Sequence, residues 1–345
     1  MLSFDVALTR PGFALAMAAK VPLAGITAIT GPSGSGKTTL LRILSGLEPA
    51  ASGSVRLGNR VMQGDGIFVP PHKRGIGYVF QEPRLFPHLD VTGNLGFGAR
   101  RRGVGQGRID DIVAVLDLGA LLARDIRGLS GGEARRVALG RVLASGPDIL
   151  FLDEPMTGLD TARKTEILPH IARASQAFDL PALFVSHARD EVLTLADRVL
   201  TVARGRIEGW ATPPVRLRAK VVARDGAGAV FAMAEQRLRL SIAAQPGEAW
   251  SLALPEDGAV LSDAPPGPSS ALLTLEARLA RVEGNAVWLD LAGQSLCWPL
   301  SPAALAAFGP LAPGRALWLT VLQVLARPES GNGAKSDTID SPSSF

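Results

Sequence analysis

Gly31-Pro32-Ser33-Gly34-Ser35-Gly36-Lys37-Thr38 places a lysine and a hydroxyl directly after a glycine-rich turn, in the spacing G-x-x-x-x-G-K-[ST]. Such a turn lets consecutive backbone N–H groups face inward around the phosphates of a nucleotide. Lys37 would supply a point charge there, and the Thr38 hydroxyl a ligand to Mg²⁺, with Thr39 next along the same turn. A second candidate is Ile149-Leu150-Phe151-Leu152-Asp153-Glu154, an apolar run ending in two carboxylates. Successive side chains on a strand point opposite ways, so Asp153 can orient a metal shell while Glu154 polarises an attacking water. A third is Leu129-Ser130-Gly131-Gly132-Glu133. Ser130 with Glu133 three residues on reads as a capping box, which by itself is only a helix start. The two glycines disfavour a first helical turn by up to about 1 kcal/mol each. They make sense where bare backbone must approach a phosphate.

These groups need rigid supports. Gly25 to Thr30 is apolar and β-branched and predicts a strand feeding the glycine-rich turn; Leu40 to Leu47 predicts the helix that follows and stops at Ser45-Gly46. Asp148 to Leu152 and Ala182 to Val185 predict further strands, without alternation, as expected of strands covered on both faces. This order of strands and helices predicts an α/β domain on a mostly parallel sheet over residues 1–212. Around Thr212-Pro213-Pro214 the pattern changes to short alternating runs. Leu217 to Phe231 parallels Leu275 to Trp288 with one residue of gap, and turns are expected at Asp225-Gly226 and Glu283-Gly284. That weak repeat predicts an all-β, OB-like region at 215–328, a small barrel made from both halves, with Phe231, Trp288 and Trp298 in its core. Ser262 to Ser270 reads as a linker, and 329–345 as a disordered tail.

With all three motifs in hand, the chain resembles the ATP-binding subunits of ABC transporters. The resemblance implies that Leu129 to Glu133 is the signature motif, completing the ATP site of an opposite subunit. It makes Gln81 the Q-loop residue and a contact to Mg²⁺. It also places Asp160 in the D-loop and makes His187 the switch histidine at the γ-phosphate. Phe13 is the candidate for stacking on adenine, with Phe4 as the alternative. Arg135 stands where the family usually has Gln, Gly140 where Ala is common, and Thr157-Gly158 where importers usually have Ser-Ala. Gly75 to Leu89 and Val91 to Gly98 resemble the molybdate importers of the family, and so does Leu23 to Ile29. The resemblance implies a homodimer energising uptake through two copies of an integral membrane permease, fed by a periplasmic or extracellular substrate-binding protein. Pro83 to Leu89 would line the groove for the permease. Cargoes such as sulfate, iron, polyamine or sugar remain the alternative, ahead of a non-transport ABC ATPase. Oxyanion-binding versions of the C-terminal module carry Arg-Asn where Leu272-Leu273 stand after Ser269 and Ser270, which favours a structural role for this one.

Composition agrees. The chain has 345 residues, a net charge of +4 and 47% hydrophobic residues, enough for two cores, and its charge is spread out rather than gathered in the dense basic face of a nucleic-acid binder. Cys297 is the single cysteine, which excludes an internal disulfide and Cys-based zinc sites and suits a reducing compartment. Met1 to Phe13 shows no secretory pattern, and Ser301 to Ala326 is broken by Pro302, Pro310, Pro313 and Arg315. The expectation is therefore a peripheral protein on the cytoplasmic face of the membrane.

Overall fold

The computed structural model describes residues 1–345 except 103–104, 212–213, 227, 234–235, 243, 256, 268–270, 292 and 330–345. Ser269, Ser270, Thr212, Pro213 and nearly all of the expected tail lie outside the described residues. Among those described, no helix is long and apolar enough to cross a membrane.

An antiparallel sheet runs in the order β2 (Phe13–Val21), β1 (Leu2–Arg10), β4 (Ser52–Leu57), β5 (Arg60–Gly64), β6 (Ile67–Phe68). A second sheet has the order β11 (Arg206–Ala211), β10 (Arg198–Ala203), β3 (Ile26–Thr30), β9 (Ala182–Val185), β8 (Ile149–Asp153), β7 (Ile76–Val79). It is parallel from β10 to β7, with β11 antiparallel at the edge. The helices are α1 (Lys37–Leu44), α2 (Val91–Arg102), α3 (Gln106–Val115), α4 (Gly131–Leu143), α5 (Thr161–Ala177), α6 (Arg189–Leu195) and α7 (Pro302–Ala307).

β8 shows why these strands carry no polar alternation. Leu150 and Leu152 enter the core built with α2, α4 and α5. Ile149 and Phe151 enter the opposite core, shared with α1 and the antiparallel sheet. All five residues of β8 are buried. Each buried Leu, Ile or Phe contributes about 1.5–3 kcal/mol, so the sheet is held from both faces. Its C-terminal edge is left to carry chemistry.

From residue 215 the chain is almost all strand. One sheet has the order β14 (Gln236–Leu240), β13 (Gly228–Met233), β12 (Val215–Asp225), β15 (Ala249–Leu254), β21 (Leu325–Pro328). The other has β16 (Ala259–Ser262), β20 (Ala316–Val321), β17 (Leu273–Glu283), β18 (Ala286–Leu291), β19 (Gln294–Pro299). The repeat is real, but it takes another form than a single small barrel. There are two five-stranded units around one shared core. β17, β18 and β19 each begin 58 residues after β12, β13 and β14, with no gap. A register shift falls at Val221/Ala223 in one unit and at Leu279/Arg281 in the other, which is the same place. Each unit's last strand is exchanged: β16 pairs with β20 of the second unit, and β21 pairs with β15 of the first.

The ungapped alignment corrects one expected core residue. Phe231 matches Leu289, both buried, so Trp288 points outward and is only half-buried. Arg281 covers its ring at 4.1 Å, and its Nε1 donates to Glu283 at 3.1 Å. Phe231 and Trp298 are buried as expected, and the central aromatic is Trp250, fully buried and edge-on to Phe231.

The two regions are fastened by two partly buried arginines. Arg216 of β12 donates through Nη2 to the carbonyls of Leu193, Thr194 and Ala196 at 2.5, 3.2 and 2.9 Å, gripping the end of α6. A cation at a helix C-terminus is favourable. Burial lowers the Arg216 pKa to about 9. Arg327 of β21 donates to the Leu195 carbonyl and to Asp197, whose other oxygen accepts from the Ile26 N–H at 2.8 Å. Burial pushes the Asp197 carboxyl up, but Arg327, the Ile26 N–H and Arg216 together hold it below its usual range.

Candidate functional site

The glycine-rich turn joins β3 to α1 as the spacing predicts, although α1 runs from Lys37 to Leu44, starting and ending earlier than the apolar pattern alone suggests. Gly31 has φ 147°, and a Cβ there would lie 1.9 Å from the Val202 carbonyl oxygen, so only glycine fits. Gly36 precedes α1 with φ 99° and no side chain to cap it. The first-turn N–H groups therefore face the loop, which is the arrangement that receives anions. At the far end of α1, fully buried Arg74 donates to the carbonyls of Ile43 and Leu44 at 3.2 and 2.7 Å. Burial brings its pKa down to about 10. Arg74 thus anchors the helix from behind.

Lys37 is buried and curls over the loop, donating to the carbonyls of Gly31 and Pro32, each at 2.8 Å. Burial lowers its pKa, and Glu154 opposes that shift. The Thr38 hydroxyl donates to Asp153 Oδ1 at 2.7 Å. Tyr78, the chain's single tyrosine, donates from β7 to Asp153 Oδ2, also at 2.7 Å. Burial and the neighbouring Asp153 charge push its phenol far up. The carboxylate at the end of β8 is therefore held on both oxygens.

Glu154 sits one residue further, with φ 45°. A non-glycine residue in that region costs on the order of 1–3 kcal/mol and persists only where its surroundings hold it. Its N–H donates to the Val185 carbonyl at 3.1 Å, tying it to β9. Its Oε1 lies 3.7 Å from Nδ1 of His187, which stands just past β9 with an exposed ring. Three parallel strands thus end side by side: β3 in the phosphate loop, β8 in Asp153 and Glu154, β9 in Ser186 and His187. A cavity of about 550 Å³ opens beside them, lined by Gly31, Ser33 and His187 and, from the C-terminal region, by Leu254 and Trp298.

The other expected residues are placed as follows. Ser130 and Glu133 form the capping box of α4: Glu133 N–H donates to Ser130 Oγ at 3.3 Å, and Ser130 N–H to Glu133 Oε2 at 2.7 Å. That second bond, the main cause, lowers the Glu133 pKa. Ser130 and Gly131 are exposed, and Gly132 is buried. Asp160 caps α5, accepting from the Arg163 N–H at 2.9 Å. Gln81 is exposed just past β7. Phe4 is buried in the core under α1, which removes it as a stacking platform, whereas Phe13 is half-buried. A Cβ on Gly36 would come 3.4 Å from the Phe13 ring, which puts that ring against the loop. Pro83 to Leu89 is held by buried Asn94, which accepts from the Phe86 N–H at 2.8 Å, and by Arg141, which donates to the Arg84 carbonyl at 2.8 Å. A groove of about 600 Å³ lies further along, between α2 and α3, lined by Leu95, Ala99, Ile109 and Val113. Of the other histidines, His72 and His88 are exposed, whereas His170 is buried in α5 with Nδ1 3.2 Å from the Val115 carbonyl. Its apolar neighbours in α5, Ile167 and Ile171, line the same core.

This fold and site define a class: an α/β P-loop domain followed by an all-β region. The family profile described as ABC transporter matches residues 16–157. More narrowly, the chain resembles molybdenum import ATP-binding proteins. It is 49% identical over 201 residues to the one called ModC in Thiobacillus denitrificans, covering 58% of this chain and 56% of that protein. The ModC of Methylococcus capsulatus is 48% identical over 198 residues, covering 57% and 56%. The match thus spans little more than half the length of these relatives. Among solved structures, cbiO1 of Clostridium perfringens, part of the ABC transporter complex cbiONQ, aligns at 25% identity with a TM-score of 0.55, over 61% of this chain and 88% of that one.

Proposed function

We propose that the chain is the ATP-hydrolysing subunit of an ABC importer that energises uptake of molybdate, with tungstate as a close analogue. The observation that carries this reading is the convergence of Lys37, Thr38, Asp153, Glu154 and His187 on the ends of three adjacent strands. The choice of cargo is supported by the likeness to molybdenum import ATP-binding proteins at 48–49% identity.

Residues 31–39 bind the phosphates through backbone N–H groups, and Lys37 leaves the loop carbonyls for the β/γ oxygens. Thr38 and Asp153 are hard oxygen donors 2.7 Å apart and suit Mg²⁺, with Gln81 as a further contact; when bound, that ion would neutralise charge on the phosphate oxygens. Glu154 accepts a proton from the water as its oxygen attacks the γ-phosphorus, and the bond to the β–γ bridging oxygen breaks, leaving ADP and phosphate. His187, beside Glu154, holds the γ-phosphate and senses its loss. Ser130, Gly131 and Gly132 act on the nucleotide of a second copy, so the working unit is a homodimer that closes on two ATP molecules and opens after hydrolysis. Two permease subunits would receive that motion at the face carrying Pro83 to Leu89, placing the chain peripherally on the cytoplasmic side. A substrate-binding protein outside would deliver the anion.

The deciding experiment is labelled molybdate uptake in cells lacking the chain, restored with the parent or with Glu154→Gln, and with sulfate uptake run alongside. Restoration by the parent alone, with sulfate unchanged, is expected. Molybdate uptake that never depended on the chain would overturn the cargo while leaving the ATPase reading to be tested in vitro.

A further inference from the structure

The segment after β8 must hold a glutamate in a left-handed backbone conformation and aim its carboxylate. Two residues that depart from the usual family sequence meet there. The Thr157 hydroxyl donates to Glu154 Oε2 at 3.0 Å, and the Thr157 N–H donates to the Glu154 carbonyl at 3.1 Å. Arg135, one turn into α4, donates through Nε to the Pro155 carbonyl at 2.7 Å and through Nη2 to the Thr157 carbonyl. A planar guanidinium can span two carbonyls of one turn in this way, which a shorter amide side chain cannot do with the same reach.

From this geometry we infer that Thr157 and Arg135 are positioning residues for Glu154: the hydroxyl fixes one carboxylate oxygen, and the guanidinium fixes the turn that carries the hydroxyl. Oε2 is then committed to Thr157, and Oε1 is left on the side of His187. The arrangement also opposes a competing one. Lys37 feels the charge of Glu154, and a carboxylate free to rotate would be drawn toward that ammonium. The hydroxyl keeps the base from that pairing before nucleotide arrives. Arg135 adds a physical link, because α4 begins at the signature residues while its second turn grips the base loop of the same chain.

This inference rests on the assignment of Glu154 as general base. Its test uses the purified full chain, with steady-state ATP hydrolysis and binding of a fluorescent ATP analogue. Thr157→Val keeps the shape and removes the hydroxyl; it should lower kcat about tenfold, with KM and analogue affinity within about twofold, as a lost alignment does. Thr157→Ser should recover most of the rate, since it restores the donor. Arg135→Gln should lower kcat about threefold without changing analogue affinity, the smaller effect of a residue acting through another. Thr157→Val with the parent kcat would overturn the positioning role. So would a loss in Thr157→Val that Thr157→Ser fails to restore, since that would mark a packing defect. A parent protein that binds the analogue but never hydrolyses ATP would overturn the underlying ATPase reading instead.

Discussion

The two halves of the chain use β-sheet in opposite ways. In the cassette, the parallel sheet is buried on both faces and its chemistry collects at one edge, where β3, β8 and β9 end together. In the C-terminal region, antiparallel strands such as β12 and β17 bury alternate residues, and among the described residues no strand end gathers polar groups of that kind. Parallel order aligns the strand ends, so residues distant in sequence arrive side by side; antiparallel order scatters them but suits repetition and a broad shared core. Substitutions in the cassette edge should therefore act on rate, and those in the C-terminal core on stability.

The largest expected effect is on rate. Glu154→Gln should lower ATP turnover by about 10²–10⁴-fold while leaving nucleotide binding and the thermal midpoint close to the parent, checked by phosphate release and calorimetry. On the other side of the comparison, Trp250→Ala removes the central aromatic of the C-terminal core and should cost about 3–5 kcal/mol, read by denaturant unfolding. Arg216→Met tests the seam between the halves. It leaves three carbonyls at the end of α6 without their donor and should cost about 1–3 kcal/mol by the same measurement. His170 offers a smaller, pH-dependent effect. Burial lowers its pKa, so the unfolded chain binds the proton more readily, and stability falls as pH drops through the usual histidine range. Thermal midpoints at pH 7.5 and 5.5 should differ more for the parent than for His170→Gln. The smallest change is expected for Trp288→Ala, below about 1 kcal/mol, because that ring lies outside the core under Arg281. A Trp288 effect as large as that of Trp250 would break the assignment of faces.

The edge that carries the candidate site was legible because its information is local. The glycine spacing, the strand before it and the helix after it sit within one stretch, and two apolar runs announce the neighbouring strands. The C-terminal region was legible only as a repeat. Inserting a gap put Trp288 opposite Phe231, and one residue of slip moves a side chain to the other face of a strand. Strand exchange leaves no local mark, because β16 and β21 carry the same short apolar pattern whichever unit they join. The arginine clamps were illegible for the same reason: Arg216 and Arg327 read as outward-facing charges until α6 is set against them. Arg135 and Thr157 could be singled out as unusual, but their meeting needed the fold.

The exchanged strands also set the order in which the protein can be completed during synthesis. β15 has no partner on its outer side until β21 emerges, and β16 has none until β20 does. Neither unit can close its sheet alone, so the C-terminal region reaches its final form only when the ribosome has delivered the chain as far as Pro328. The cassette meets no such delay, since every strand of its two sheets lies before residue 212. A nascent chain would hold a finished glycine-rich loop and strand edge while the region that grips α6, and that supplies Leu254 and Trp298 to the neighbouring cavity, was still unfinished. Shortening the chain by the last strand would leave an open sheet edge in the first unit, where a strand of another molecule could pair.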